Sequence, residues 1–403
     1  MWQIVMKTLI TPAEADRRIL RLREGFPSEE LPLLGVPGRI LREEIRADQD
    51  FPPFDRVMMD GIAVRFSDFQ AGHRAFEITG MAPAGQPSTL LPSTPSSAIE
   101  VMTGAVLPIG SDCILPVEWY DIENGRAILR DDAVPQEGVF IHRQGSDHRA
   151  GEVLMKSGVR IGPVETSVAA ACGYGSLRVT SRARVSVIGT GDELVGIGEK
   201  PTLGKIRQTN APTLAASLQL ASHPVMEITH TPDEAEALRA LLQRVFSAAD
   251  IVVLTGGVSK GRRDHVPDII SELGGEEILH GVAQRPGKPM AVWKVPSGPV
   301  VFGLPGNPVS ALVCLHRYVI PALRHWSGEV IVPQQLRMGR GDFAKPEGLT
   351  LFLPVADCGD GTAQALPTAN SGDFAGLLGS TGFVQVDEIF AAHSRARYFP
   401  WVA

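Results

Sequence analysis

The sequence predicts a multidomain protein of the α/β-plus-β class, and three observations lead to this fold class. Between residues 181 and 328, apolar strands alternate with helical stretches, which is typical of a parallel sheet covered on both faces. The flanking regions, 46–142 and 329–403, contain short β-type runs separated by turn residues. The length of 403 residues exceeds the size at which a single core stops growing. We therefore expect a central α/β domain, a β-rich insertion domain and a small C-terminal β domain.

The first predicted element is a helix over Thr11 to Gly25. Thr11 and Glu14 have capping-box spacing, Pro12 suits the first turn, and Gly25 is typical of a helix end. A second helix is predicted from about Pro163 to Ala171, after the β-rich region.

Three apolar strands in the central region, RVSVIG, DIVVLT and PVVFGL, each run into a glycine-rich turn. The turns are GTGDEL (189–194), TGGVSKGRRDH (255–265) and GLPGNP (303–308). Ligands of open parallel sheets bind beyond the carboxyl ends of the strands, and glycine lets an anion approach main-chain N–H groups. The three turns together predict an anion-binding crevice.

The same turns carry carboxylates, namely Asp192, Glu193 and Asp264. Acids beside a phosphate-type ligand repel it unless a divalent cation lies between them, and Mg²⁺ is the usual solution. The alternative interpretation makes Asp264 a helix N-cap and the other two acids solvated turn residues.

Positive charge is expected near these turns. Arg285 and Lys288 lie in QRPGKPM, where the flanking prolines constrain the direction of the Lys288 amine. Lys288 is therefore favoured as a functional residue. The second turn adds Lys260, Arg262 and Arg263, of which the two arginines also suit a solvated face.

Composition excludes several functions. The formal net charge of −7 argues against a nucleic-acid or membrane partner. The four cysteines are far apart without a CxxC pair, which favours reduced thiols and offers no zinc motif. The amino terminus is a poor signal peptide, so we expect a cytoplasmic protein.

Six motifs occur in an order and spacing that resemble a known family, the bacterial molybdopterin molybdenumtransferases, whose eukaryotic counterpart is the E domain of gephyrin. The motifs are PPFDRVMMDGIAV, VMTGAVLPIGSD, IGTGDEL, LTGGVSKGRRDHV, RPGKPMAVW and GLPGNPVSALV. The resemblance covers about residues 10–330 and is weaker beyond them.

The resemblance implies an elongated, four-domain homodimer whose active site lies near the subunit interface, with residues 1–45 and 143–180 forming one discontinuous linking and dimerisation domain. It also implies the reaction, in which molybdate enters the dithiolene of adenylylated molybdopterin and AMP is released in the presence of Mg²⁺. The implied protein partners are molybdopterin adenylyltransferase and acceptor molybdoenzymes.

Carried onto matching positions, the resemblance implies catalytic roles for Asp60, Glu193, Asp264 and Lys288, with Glu193 and Asp264 as metal ligands. The turns and the family motifs together give the expected substrate-binding residues Thr103, Asp147, Gly189, Gly191, Asp192, Gly256, Gly257, Ser259, Arg285, Pro305, Gly306, Asn307, Pro308, Ser310 and Ser371.

The GLPGNP turn is expected to bind the oxyanion. Pro305 and Pro308 fix the backbone, Gly303 and Gly306 expose it, and Ser310 adds a hydroxyl, so the turn is preorganised. The same residues also suit a plain helix start, and one turn can serve both purposes. No motif separates molybdate from tungstate, because the two ions share shape and charge.

Two rival functions remain. The GTGDEL and TGGVS motifs also resemble molybdopterin adenylyltransferases, but the long β-rich insertion argues against that enzyme. A non-catalytic molybdopterin-binding scaffold is disfavoured because the four expected catalytic residues are all present. The acid Asp60 itself suits either a plain turn or a displayed functional group.

Overall fold

A computed structural model describes residues 9–258, 265–338, 346–366, 368–387 and 394–402. The chain divides into two compact units. The first unit consists of Met1–Arg42, Ser157–Gly162 and Leu177–Ala403, and the second consists of Glu43–Lys156 and Pro163–Ser176.

The helices of the described residues are α1 (Pro12–Leu20), α2 (Phe66–Gln70), α3 (Pro163–Ala171), α4 (Asn210–Leu220), α5 (Ala235–Ala248), α6 (Val266–Glu272), α7 (Pro308–Cys314) and α8 (Ile320–Trp326). A π-helical turn, Leu315–Val319, joins α7 to α8. The strands are β1 (Ser28–Pro32), β2 (Ile45–Arg46), β3 (Arg56–Val57), β4 (Gly61–Val64), β5 (Ala75–Ala82), β6 (Ser97–Val101), β7 (Cys113–Pro116), β8 (Tyr120–Glu123), β9 (Arg126–Leu129), β10 (Ile141–His142), β11 (Val153–Met155), β12 (Ser176–Thr180), β13 (Val185–Thr190), β14 (Leu194–Val195), β15 (Ile206–Arg207), β16 (Val225–Thr231), β17 (Ile251–Thr255), β18 (Glu276–His280), β19 (Gln284–Arg285), β20 (Ala291–Lys294), β21 (Val300–Leu304), β22 (Gln334–Met338), β23 (Thr350–Asp357), β24 (Thr362–Ala365), β25 (Gly382–Val386) and β26 (Arg395–Pro400).

The second unit is built on a six-stranded sheet with the order β7-β4-β6-β5-β9-β8, in which only β5 and β6 pair in parallel. Buried side chains cover both faces, with Ile62 on one side and Ala63 on the other. The predicted β-rich character of this region is confirmed, and the predicted helix at Pro163–Ala171 is α3.

The central sheet of the first unit has the order β16-β13-β17-β21-β20-β18. The first four strands run parallel, β20 runs antiparallel to them, and the edge strand β18 pairs antiparallel with β20 and therefore runs in the same direction as the first four. The three predicted strands are β13, β17 and β21, and their five or six residues are all buried. The edge strand β16 adds a fourth parallel strand that has no continuous apolar run, because its alternate side chains, including Met226 and Ile228, face outward.

Helices cover both faces of this sheet, as its apolar strands require. One core contains Leu214 of α4 and Leu323 and Trp326 of α8, while the opposite core contains Leu242 of α5 and Ile270 of α6. The parallel α/β prediction is therefore confirmed.

The amino-terminal helix α1 ends earlier than predicted. Thr11 accepts a hydrogen bond from the Glu14 N–H at 3.2 Å, but the Glu14 side chain pairs with Arg18 instead of returning to the cap. The predicted end at Gly25 is wrong, since the helix stops at Leu20. The following residues turn so that the Phe26 N–H donates to the Trp326 carbonyl and the two rings pack edge to face.

The last strands of the first unit form a second six-stranded sheet with the order β19-β23-β24-β22-β26-β25, which closes through a further pairing of β23 with β25. The predicted β segments LTLFLPVA and GFVQVDEIF contribute β23 and β25. Strand β19 precedes the PGKP turn, so it joins this small barrel to the central sheet. Within the described residues, no helix is both long and apolar enough to cross a membrane.

Candidate functional site

The three predicted glycine-rich turns lie at the carboxyl ends of adjacent parallel strands. The Gly256 N–H donates to the Leu304 carbonyl at 3.3 Å, and a Cβ atom added to Gly306 would lie 3.8 Å from the Gly256 Cα. The Asn210 amide nitrogen donates to the Thr255 hydroxyl at 2.8 Å and to the Gly306 carbonyl at 2.7 Å. Asn210 thereby ties the second turn to the third, and we call this edge of the sheet the crevice.

Acidic residues border the first turn of the crevice. The Asp233 N–H donates to the Asp192 carboxylate at 3.0 Å, and the Lys205 ammonium donates to the Asp192 carbonyl at 2.5 Å. The Glu193 carboxylate folds back, so that a Cβ atom on Gly191 would lie 2.7 Å from one of its oxygens. Within the described ranges, no cluster of three or more His, Cys, Asp or Glu residues could hold a metal ion. Carboxylate oxygens still suit Mg²⁺ when a ligand supplies the other oxygens.

The glycines of these turns mostly make room for protein atoms. A Cβ atom on Gly189 would collide with the Gln208 amide, and one on Gly303 would lie 2.7 Å from the Trp293 ring. Added Cβ atoms on Gly256 and Gly257 would lie 2.8 and 3.0 Å from the Thr190 hydroxyl oxygen. The expectation that Gly303 exposes the backbone is therefore wrong, because this residue lies within β21 under Trp293.

Part of the second turn lies outside the described residues. This part contains two expected site residues, Ser259 and Asp264, and the basic residues Lys260, Arg262 and Arg263.

The PGKP turn and the GLPGNP turn meet at a cavity of about 930 Å³, which we call the basic cavity. Five of the expected site residues line it: Arg285, Lys288, Asn307, Ser310 and Ser371. Two cations stand among these residues, and no carboxylate occurs among the described residues of the lining. The cavity is therefore electrostatically suited to a small anion.

The GLPGNP turn is held in place from the C-terminal barrel. The Asn307 amide donates to the Ser371 hydroxyl at 2.9 Å, and the Val309 N–H donates to the Ser371 carbonyl at 3.1 Å. Pro305 is buried and its carbonyl accepts from Thr255 at 3.3 Å, while Pro308 is the first residue of α7. The turn starts a helix and its Asn307 lines the cavity, so the two interpretations of its sequence are compatible.

The PGKP turn is braced by Gln284, which is fully buried. Its amide donates to the Pro286 carbonyl at 3.2 Å and to the Cys314 sulfur at 3.5 Å, and its oxygen accepts from the Tyr318 hydroxyl. Burial raises the pKa of the Cys314 thiol to about 12, so the sulfur stays protonated at neutral pH. Sequence reasoning missed Gln284, although a glutamine directly before the rigid Arg-Pro-Gly-Lys-Pro run was a usable signal.

In the second unit, two expected residues contact each other. The Asp60 carboxylate accepts from the Thr103 N–H at 2.6 Å and from the Thr103 hydroxyl at 2.8 Å, and these bonds lower the pKa of Asp60. The following Gly61 lies so close to the Leu115 carbonyl that a side chain would collide with it. This close packing fixes the turn that displays Asp60.

Asp147, also in the second unit, accepts from His142 Nε2 at 2.8 Å, which lowers the pKa of its carboxyl. The Arg56 guanidinium lies 3.1 Å from His142 Nδ1. Because a guanidinium only donates, Nδ1 accepts and the proton of the imidazole is on Nε2, facing Asp147. Arg56 and His142 thus orient this carboxylate, and neither was predicted.

Comparison with known proteins agrees with this fold and these turns. The family described as "MoeA N-terminal region (domain I and II)" matches residues 10–173, and the "probable molybdopterin binding domain" matches residues 186–325. A solved molybdopterin biosynthesis MoeA protein from Pyrococcus horikoshii has a TM-score of 0.77 and 28% identity, covering 98% of this chain and 99% of its own. The chain thus has the architecture of a molybdopterin biosynthesis protein.

Two curated relatives identify the family more narrowly than the architecture does. The molybdopterin molybdenumtransferase of Synechocystis is 37% identical and covers 98% of this chain and 100% of its own length. That of Bacillus subtilis is 31% identical, covering 86% of this chain and 82% of its own. The chain therefore belongs to the molybdopterin molybdenumtransferase family.

Proposed function

We propose that this protein inserts molybdate into the dithiolene of adenylylated molybdopterin and releases AMP, as a step of molybdenum cofactor biosynthesis. The observation that carries the proposal is the basic cavity, where Arg285 and Lys288 stand with hydroxyl and amide groups and no carboxylate among the described residues of its lining. A doubly charged oxyanion needs fixed donors and positive charge, and the cavity supplies both.

Molybdate binding is assigned to the basic cavity. The charges of Arg285 and Lys288 attract the ion, and the Asn307 amide and the Ser310 and Ser371 hydroxyls donate hydrogen bonds to its oxygens. Pro305 and Pro308 keep the turn in one conformation, so little ordering is needed when the ion arrives.

The crevice is assigned to the adenylylated ligand, with Gly256, Gly257 and Gly306 among the residues that contact it. Glu193 and Asp264 would hold Mg²⁺, which neutralises phosphate charge when bound. Glu193 is suited to this role because its carboxylate lies against Gly191 at the end of β13.

Activity is assigned to a homodimer in the cytoplasm, with residues of both subunits in one site. The Thr103 hydrogen bonds keep Asp60 ionised, so that Asp60 acts as a hydrogen-bond acceptor for a donor group of the ligand. The hydrogen bond from His142 likewise keeps Asp147 ionised and orients its carboxylate. The predicted domain division, with 1–45 and 143–180 as one dimerising domain, belongs to this proposal.

AMP release tests the function. Purified protein with Mg²⁺, molybdate and adenylylated molybdopterin is expected to release AMP, and Glu193→Gln and Asp264→Asn are each expected to lower the rate. Glu199→Gln, in the same loop as Glu193, is the matched control and should leave the rate unchanged. Undiminished release in both site variants would overturn the metal assignment, and ligand binding without any release would favour the scaffold. Formation of the adenylylated ligand from ATP would favour the adenylyltransferase.

Mixing two inactive variants tests the shared site. Asp60→Asn protein and Lys288→Ala protein, each inactive alone, should recover part of the AMP release when their subunits exchange. The recovery arises because one of the two sites of a hybrid dimer contains both wild-type residues. Mass spectrometry of the mixture monitors the exchange, and no recovery in exchanged dimers would show that each site uses one chain.

A further inference from the structure

Three buried polar atoms without a hydrogen-bond partner lie together at the crevice. They are the Thr190 hydroxyl oxygen, the Gln208 amide nitrogen and the Asn210 amide oxygen. Thr190 is only 4% exposed. A buried polar group without a partner destabilises the folded protein, so three such groups at one place require an explanation.

The positions of these atoms relate them to the glycine-rich turns. The Thr190 oxygen lies against Gly256 and Gly257, at 2.8 and 3.0 Å from the places their Cβ atoms would take. The Gln208 amide fills the space over Gly189. Gln208 itself is half-buried, so turning its side chain opens that space to a ligand.

The orientation of the Asn210 amide is fixed by its partners. Its nitrogen donates to the Gly306 carbonyl at 2.7 Å, and a carbonyl oxygen cannot donate a hydrogen bond. The amide therefore cannot be turned around, and the free oxygen of Asn210 requires a donor from outside the protein. A phosphate without protons cannot supply that donor.

Hydrogen-bond acceptors lie in the turn that directly follows Thr190. Asp192 and Glu193 lie in the turn after β13, and Asp233 hydrogen-bonds to Asp192 from the end of β16. The Lys205 ammonium is directed to the Asp192 carbonyl. This part of the crevice consequently suits a neutral ligand edge that donates more hydrogen bonds than it accepts.

We propose that Thr190, Gln208 and Asn210 bind the aminopyrimidine edge of the pterin ring. That edge has an exocyclic amino group and a ring N–H beside a ring carbonyl. The N–H groups donate to Asn210, and the carbonyl accepts from Gln208 and Thr190. This assignment rests on the proposed function and adds to it where the pterin, as distinct from the phosphates, is held.

The decisive variant is Thr190→Val, which removes the hydroxyl and keeps the volume. Because this hydroxyl has no partner, the variant should unfold at the same or a higher temperature than the wild type. Its dissociation constant for metal-free molybdopterin should rise by roughly three- to ten-fold, the range of one hydrogen bond. Gln208→Leu should act in the same direction.

Thr180→Val is the matched control. Thr180 is also buried at the end of a strand, but its hydroxyl donates to the Ser327 carbonyl at 2.7 Å. This control should lower the unfolding temperature and leave molybdopterin affinity unchanged, so the two variants should show opposite effects.

Binding of metal-free molybdopterin, AMP and inorganic phosphate is measured separately by calorimetry. The proposal expects only molybdopterin binding to weaken in Thr190→Val. Equal weakening for AMP or phosphate, or no change for any probe, would overturn it. Failure of the proposed function is distinguishable, since wild-type protein would then release no AMP whatever its affinity for molybdopterin.

Discussion

The basic cavity and the crevice differ in how their polar groups are satisfied. The Asn307 amide at the cavity donates to Ser371, and the Gln284 amide donates to the Pro286 carbonyl of the PGKP turn. At the crevice, Thr190 and Asn210 each keep one buried polar atom without a partner. These polar groups of the cavity have hydrogen-bond partners within the protein, whereas those of the crevice would gain partners from the ligand.

This difference follows from the size of the two ligands. An oxyanion makes few contacts, so it binds well only if the turn is already ordered in the free protein and little entropy is lost on binding. A pterin nucleotide makes many contacts, and these can offset the free-energy cost of burying polar groups that have no partner in the free protein. Changes to the support of the cavity should therefore affect molybdate, and changes to the crevice should affect the larger ligand.

The largest expected effect is a loss of folding stability at acidic pH. His316 lies in the helical segment that begins at the GLPGNP turn, is 6% exposed and packs against Trp401, and burial lowers its pKa to about 4. The unfolded chain takes up this proton near pH 6.5, so between about pH 6.5 and 4 it binds more protons than the folded protein. The free energy of unfolding should fall by roughly 3 kcal/mol as the pH drops through this window.

The variant His316→Gln should flatten that pH dependence, measured by urea unfolding at pH 7.0, 5.5 and 4.5. His223 is a matched control, because it follows the end of α4 that is opposite to the crevice and burial also lowers its pKa to about 4. His223→Gln should flatten the curve by a similar amount. An unchanged pH dependence in His316→Gln would contradict the assignment of the acid sensitivity to this buried histidine.

The second effect concerns the brace of the PGKP turn. Gln284→Leu leaves the Tyr318 hydroxyl and the Pro286 carbonyl without their partner, so the free energy of unfolding should fall by about 2 kcal/mol. The molybdate concentration for half-maximal AMP release should rise because the turn loosens.

Tyr318→Phe is the control for this brace. It removes one of the Gln284 bonds and keeps the amide on the Pro286 carbonyl, so stability should fall less and molybdate dependence should stay near that of the wild type. A molybdate shift as large as in Gln284→Leu would show that the amide does not position the turn.

The fold could be predicted where apolar runs are continuous. Strands β13, β17 and β21 are buried along their whole length and were read directly from the sequence. The edge strand β16 was missed because its outward side is exposed, and the end of α1 was misplaced because Phe26 packs on Trp326, a contact 300 residues away.

The candidate site could be predicted where a motif has unusual composition. The PGKP and GLPGNP turns were found, and their residues meet in one cavity with Ser371. Thr190, Gln208, Asn210 and Gln284 were missed, because ordinary polar residues acquire a role only through partners that are distant in sequence.

The smallest expected effect comes from loosening the GLPGNP turn, which should change molybdate binding at the cavity but not ligand affinity at the crevice. Replacing Pro305 and Pro308 by alanine frees φ at both positions and raises the entropic cost of fixing the turn, by roughly 0.4–1 kcal/mol per site. Because molybdate has few contacts to compensate, the double variant should need roughly four- to thirty-fold more molybdate for half-maximal AMP release if both costs fall on binding. Pro299→Ala, before β21 at the opposite end of that strand, is the control and should not move this value. Affinity for adenylylated molybdopterin, measured by calorimetry, should stay near normal. If that affinity collapses while molybdate dependence does not move, the turn holds the pterin or its phosphate, and the assignment of the cavity to the oxyanion is wrong.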